Sequence, residues 1–173
     1  MKRFFLKNIV TKFFYTQNLW NEKIKILDIG LDNESISRAK LVYSNIQAYH
    51  GLDIRDLSED EKKVINEFYL LDLDSDNLQS LHDDFYDLIL MNHVIEHLNR
   101  GLDAILALSY KVRRGGYFFI EFPNVNSLSK SIYCNYHFHC DPTHKRIYNI
   151  SEIANILISN DFEIISLVIL NPI

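Results

Sequence analysis

The chain has 173 residues and fits one domain, with no room for a second of ordinary size. Its 47% hydrophobic and 13% aromatic content excludes an intrinsically disordered chain. The net charge of −5 is uneven: residues 1–25 carry six basic groups against Glu22, and the acidic remainder is a poor surface for general phosphate-backbone binding, so no nucleic-acid partner is expected.

Two cysteines, Cys134 and Cys140, make no disulfide framework and fit a reducing, cytoplasmic compartment. Only five glycines occur, where average usage near 7% would give about twelve. The position of each is therefore informative.

At the N-terminus, Lys2-Arg3 before Phe4-Phe5-Leu6 resembles the start of a signal peptide. Lys7, Asn8 and Lys12 interrupt the apolar stretch, and no small-residue cleavage site follows. No run approaches the ~20 apolar residues of a membrane span. Leu6, Ile9, Val10 and Phe13 share a helical face, which predicts an amphipathic helical segment over 1–22 ahead of a domain over 23–173. Packing on that domain is the first reading; a basic surface for a membrane or partner, or a frayed end, are the others.

Strands and helices then alternate. Lys23–Ile29 reads as a buried strand and Ser35–Tyr43 as a helix. Ile46–Leu52 is a second strand. Glu59–Asn66 is helical, with Ser58 as N-cap and Glu61 completing a capping box. Glu67–Leu71 and Tyr86–Met91 are strands, and Leu102–Val112 is helical. Tyr117–Phe122 is a strand entered through Gly115-Gly116 and ended by Pro123. Ser151–Asn160 is a helix with Ser151 as N-cap, and Phe162–Leu170 is a last strand.

This alternation predicts βαβ units: a doubly wound α/β domain, mostly parallel, with helices on both faces of the sheet. Such sheets bind ligands at the carboxyl ends of their strands, where the strand order reverses. Chemistry is therefore expected just after Ile29, Leu52, Leu71, Met91 and Phe122.

Those positions hold polar groups. Gly30 follows the first strand, where a glycine turn into a helix meets an anion with backbone N–H groups. Asp53 lies 23 residues later, the spacing of a ribose-hydroxyl acceptor, although a solvated turn aspartate has the same appearance. Asp72 can accept from an exocyclic amine or be a surface acid. After the fourth strand comes Asn92-His93-Val94-Ile95-Glu96-His97.

Ile26-Leu27-Asp28-Ile29-Gly30, Gly51-Leu52-Asp53, Tyr86 through Leu98 (YDLILMNHVIEHL) and Arg114-Gly115-Gly116-Tyr117 occur in that order. Together with the late THKRIYNISEIANILISNDFEI they resemble a class I S-adenosylmethionine-dependent methyltransferase of the small-molecule type, over about residues 23–170. The resemblance implies a Rossmann-like sheet and S-adenosylmethionine as cofactor. Asp28 and Gly30 would line its methionine end, Asp53 its ribose, and Asp72 with Leu73 its adenine. Asn92 and His93 would lie under the transferring methyl. His97 belongs to the matched motif without an implied role. The family's closing antiparallel strand is not expected after Phe162–Leu170, which would leave an open edge for a covering element or a homo-oligomer.

One departure matters. The family's first motif is Asp-x-Gly-x-Gly-x-Gly, and here Asp32 and Glu34 replace the second and third glycines. A Cβ and two carboxylates where backbone should approach the cofactor predict weakened binding. The leading function is thus methyl transfer to a small molecule. The alternative is a non-catalytic binding or assembly protein of the same fold that has lost its cofactor.

His93-Val94-Ile95-Glu96-His97 also matches the inverted zinc-protease motif, His-x-x-Glu-His. That site needs a helix through all five residues and a third ligand, whereas this motif directly follows a buried strand. The segment 124–149 is long for a connection and is read first as a substrate lid, next as ordinary packed or exposed loop residues, and last as a zinc site on its histidines and Cys140, because the spacing fits no strong template. No metal is expected. His144 and His93 are the candidate general bases, because imidazole titrates near neutrality.

Overall fold

The computed structural model describes residues 23–31, 35, 37, 45–124 and 138–166. Five strands form one sheet: β1 (Ile24–Ile29), β2 (Ile46–Asp53), β3 (Glu67–Leu70), β4 (Tyr86–Asn92) and β5 (Val112–Glu121). Their order is β3-β2-β1-β4-β5, and all four pairings are parallel. The order reverses between β1 and β4, as in a doubly wound Rossmann-like domain.

The two central strands are apolar because both faces of the sheet are covered. Leu27, Ile29, Ile89 and Met91 join one core cluster, with Ile105 and Leu108 of α2 (Gly101–Ser109) and Leu157 of α3 (Ile150–Ile158). Ile24, Ile26, Leu88 and Leu90 join a second cluster with Tyr49 and Leu57. Neighbouring residues along each strand thus go to opposite faces, the period-2 rule applied to a strand with no wet side.

Five elements differ from the sequence reading. The helix over 59–66 shortens to α1 (Glu59–Lys62), although its Ser58–Glu61 capping box forms. Asn66 ends it by pairing with Tyr49: its N–H donates to the Tyr49 carbonyl at 2.8 Å and its Oδ1 accepts from the Tyr49 N–H at 2.7 Å, drawing the chain into β3.

The helix over 102–112 ends at Ser109, and β5 begins at Val112, before the glycine pair. The register slips between Tyr86 and Leu88, so Arg113–Gly116 form an irregularity inside the strand. Gly115 supplies a φ of +74° there, and a Cβ on Gly116 would come within 2.9 Å of the Tyr86 and Arg113 carbonyls.

Asn149, not Ser151, caps α3. Its Oδ1 accepts from the Ser151 N–H at 3.0 Å, and Glu152 Oε2 accepts from its own N–H at 2.9 Å, a capping box shifted by two residues. The expected final strand does not form over 162–166, where Ile165 is 53% exposed. Residues 167–170 lie outside the described residues, as do the 1–22 helix, most of the 35–43 helix, Asp32, Glu34, Cys134 and His137. Cys140 is exposed and unpaired. Among the described residues, no helix is long and apolar enough to cross a membrane.

Asp74 holds three segments together. Its carboxylate accepts from the N–H groups of Asn99 at 3.0 Å and Arg100 at 2.9 Å, and from Lys145 Nζ at 3.1 Å. Burial alone would push this carboxyl up, but these donors outweigh it and hold it down to about 2. A depressed carboxylate contributes stability above its ordinary pKa and loses it as pH falls toward 2. Asp74→Asn is expected to cost about 2 kcal/mol at neutral pH by that linkage. Urea denaturation as a function of pH checks it: the gap to wild type should close between pH ~4 and ~2.

Candidate active site

The carboxyl ends of β2, β1 and β4 lie side by side, which brings Asp53, Gly30, Asn92 and His93 to one rim. Gly30 adopts a φ of +70°, and its N–H donates to the Leu52 carbonyl at 2.9 Å. A Cβ at Gly30 would lie 2.5 Å from Val94 Cγ2, so the turn after β1 rests directly on the chain after β4. Only glycine satisfies both demands.

Asp28 is buried within the sheet and accepts a hydrogen bond from the Tyr49 hydroxyl. Asp53 ends β2 half-buried, and its Oδ1 accepts from the Arg55 N–H at 2.8 Å. A carboxylate has about four acceptor sites, so capacity for two hydroxyls remains. Asp72 organises its own loop: Oδ1 accepts from the Asp74 N–H at 2.9 Å and Oδ2 from Ser75 Oγ at 3.1 Å. Leu73 packs half-buried against the first core cluster.

Asn92 ends β4 with its Oδ1 buried and without a hydrogen-bond partner. An orphaned buried oxygen costs about 1–3 kcal/mol, which a bound donor would recover. The positive-φ glycine, the half-buried acid on the next strand and this orphaned acceptor suit a ligand that carries hydroxyls and an ammonium group. They fit the cofactor that the sequence resemblance implies.

His93 has a φ of +53°. Its Nε2 lies 2.9 Å from Glu121 Oε1 and its Nδ1 lies 3.1 Å from Glu96 Oε1. Carboxylates only accept, so both ring nitrogens carry protons. Glu121 first, then Glu96, raise its pKa to about 9. At neutral pH His93 is an imidazolium, a donor rather than the general base that its residue type suggests.

The chain from Val94 to Leu98 is not a helix through the motif but a single 3-10 turn over Ile95–His97. The inverted-protease geometry is therefore absent from these residues. His144 comes to this turn from the long connection. The backbone N–H groups of Lys145 and Arg146 both donate to the Glu96 carbonyl, at 2.8 and 3.2 Å, and the His97 and His144 rings lie 4.7 Å apart.

Sequence reasoning left Glu96 without a role outside the protease motif, and gave Glu121 and Asp74 none. Glu121 carried a readable signal: an acid at the end of an apolar strand whose neighbour ends in Asn92-His93, with Asn92 and Glu121 in register. Asp74 carried none, since Asp72 and Asp76 beside it look the same in sequence.

The sequence matches the model of a methyltransferase domain family over residues 3–167. No curated protein matches it. Many solved structures are similar in fold, among them three methyltransferases. A SAM-dependent methyltransferase from Archaeoglobus fulgidus has a TM-score of 0.62 at 23% identity, covering 91% of this chain and 69% of its own. An S-adenosylmethionine-dependent methyltransferase from Mesorhizobium loti has 0.58 at 15%, covering 79% and 73%. The plantazolicin methyltransferase BpumL, solved in complex with SAH, has 0.57 at 16%, covering 89% and 61%. With a family match that spans nearly its whole length, the chain belongs to the methyltransferase domain family.

Proposed function

We propose that this chain transfers a methyl group from S-adenosylmethionine to a small-molecule acceptor. The observation that carries the reading is the strand-order reversal, where Gly30, Asp53 and Asn92 stand on adjacent strand ends. When bound, the cofactor supplies a methyl already activated on a sulfonium, so alignment and exclusion of water matter more than a dedicated base.

The residues divide the work. Gly30, in the tight turn that packs on Val94, lines the methionine end with Asp28. The Asp53 carboxylate accepts from the ribose hydroxyls, and Asp72 with Leu73 borders the adenine. Asn92 Oδ1 takes a donor at the methyl-bearing end. His93, with both N–H groups committed to Glu121 and Glu96, stands as a fixed wall beside the acceptor. His144 handles an acceptor proton: its Nδ1 donates to the Phe138 carbonyl at 2.8 Å, which leaves the Nε2 lone pair available.

The division into an amphipathic segment over 1–22 and a domain over 23–173 belongs to the same proposal, as do a cytoplasmic location, the absence of a nucleic-acid partner and a homo-oligomer. The oligomer is supported by the edges of β3 and β5, which have no further strand among the described residues.

Isothermal titration with S-adenosylmethionine tests the function. Saturable binding at micromolar to submillimolar concentration is expected, weaker in the wild type than in Asp32→Gly with Glu34→Gly. No heat at millimolar ligand in the wild type, restored by that double change, would instead favour the non-catalytic alternative.

A further inference from the structure

We propose that Glu96, His97 and His144 form a binding site for one divalent transition-metal ion, zinc foremost. One ligand-capable atom from each lies within 4.8 Å of the others. The two histidines come from segments 47 residues apart in sequence, joined by the bonds from Lys145 and Arg146 to the Glu96 carbonyl.

The tautomers suit metal binding. His97 Nδ1 lies 2.9 Å from Thr143 Oγ1 and 3.3 Å from the Thr143 carbonyl. The Thr143 hydroxyl proton is committed to Asp141 Oδ1 at 2.5 Å, so His97 Nδ1 is the donor. His144 Nδ1 likewise donates to the Phe138 carbonyl at 2.8 Å. Both rings therefore keep their protons on Nδ1 and offer Nε2 lone pairs. A metal-bound imidazole ordinarily has its other nitrogen anchored in this way.

The independent observation is Glu96. The residue is 1% exposed, and its Oε2 is buried with no hydrogen-bond partner while Oε1 faces His93. A carboxylate oxygen with nothing to accept from is better explained beside a cation than in a dry core. Asp141 Oδ2 lies 3.6 Å from His144 Nε2 and adds negative charge at the same place.

Two imidazoles and one carboxylate select zinc, iron(II) or a similar ion over magnesium or calcium, which prefer oxygen-only sets. Ligands on one tetrahedral zinc stand about 3.3 Å apart, so the donors must close by at most about 1.5 Å. Three protein ligands leave coordination open to water or a donor of a second molecule. Val94, which touches Gly30, is two residues from Glu96, so the ion sits beside the strand-order reversal. With an ion on Nε2, His144 serves as a ligand and no longer as a base. The site stands independently of whether the chain takes up S-adenosylmethionine.

Equilibrium dialysis of the metal-free 173-residue chain with zinc, and cobalt(II) titration followed by visible absorption, test the assignment. One ion per chain is expected, with the ligand-field bands of a low-coordinate N/O site. His97→Ala and His144→Ala should each weaken binding roughly tenfold or more while circular dichroism stays native, since both side chains are only half-buried. His139→Ala and Cys140→Ser, on exposed neighbours, should leave it unchanged. Trace uptake by the wild type, or undiminished binding in both His97→Ala and His144→Ala, overturns the site. So does a loss that follows Cys140→Ser instead.

Discussion

Tyr148→Ala is expected to lower the unfolding free energy by about 4 kcal/mol, and Tyr148→Phe by about 2 kcal/mol. The side chain is fully buried among residues of both helices that cover the first face. Its hydroxyl donates to the Leu98 carbonyl at 3.1 Å and accepts from the Gly101 N–H at 3.2 Å. Phenylalanine keeps the ring but orphans both backbone groups, whereas alanine opens a cavity as well. Tyr148 closes the connection that carries His144 and pairs with Asn124 just after β5, so it anchors that loop at its far end. Urea denaturation with an unchanged slope for Tyr148→Phe measures the polar part directly. A loss below about 0.5 kcal/mol would show that the two backbone groups find other partners.

Gly30→Ala should cost about 3 kcal/mol in stability and weaken S-adenosylmethionine binding at least roughly tenfold. Two separable terms contribute. The φ of +70° penalises any side chain, and the new Cβ would meet Val94 Cγ2 at 2.5 Å. Val94 is β-branched and cannot swing its methyl aside without leaving its preferred rotamer. Adding Val94→Ala removes the collision and leaves the backbone term. The double variant should therefore recover roughly half of the stability lost by Gly30→Ala, a coupling that thermal unfolding and a double-mutant cycle measure. Additive losses would mean that the turn after β1 does not rest on Val94.

The sheet was legible because its central strands are unambiguous. Leu88–Met91 is apolar throughout and Ile26–Ile29 is apolar except for the buried Asp28, without alternation, as a strand buried on both faces requires. The strand ends that carry Gly30, Asp53 and Asn92 were legible for the same reason: a buried strand must stop where polar residues begin. What escaped was everything set by pairing across the chain. The Asn66–Tyr49 exchange that shortens α1, and the slip that moves the start of β5 to Val112, are decided by partners far away in sequence. The role of Glu96 was hidden likewise, and that of Glu121 was legible only through the register of β5 against β4. Nothing local shows that His93 has a carboxylate on each nitrogen, because one of those carboxylates stands 28 residues downstream.

The pairing of β1 with β4 also sets an order of events in folding. Leu88, Ile89, Leu90 and Met91 each join a residue of β1 62 positions earlier in the chain, whereas β4, α2 and β5 form one contiguous unit over 86–121. Closing a long loop costs entropy before any contact repays it, so the contiguous unit has the cheaper nucleus. The paired ends of β1 and β4 come together only after the long closure. The turn that bears Glu96 is thus assembled on a local scaffold, while the cradle around Gly30 waits for the chain's two halves to meet.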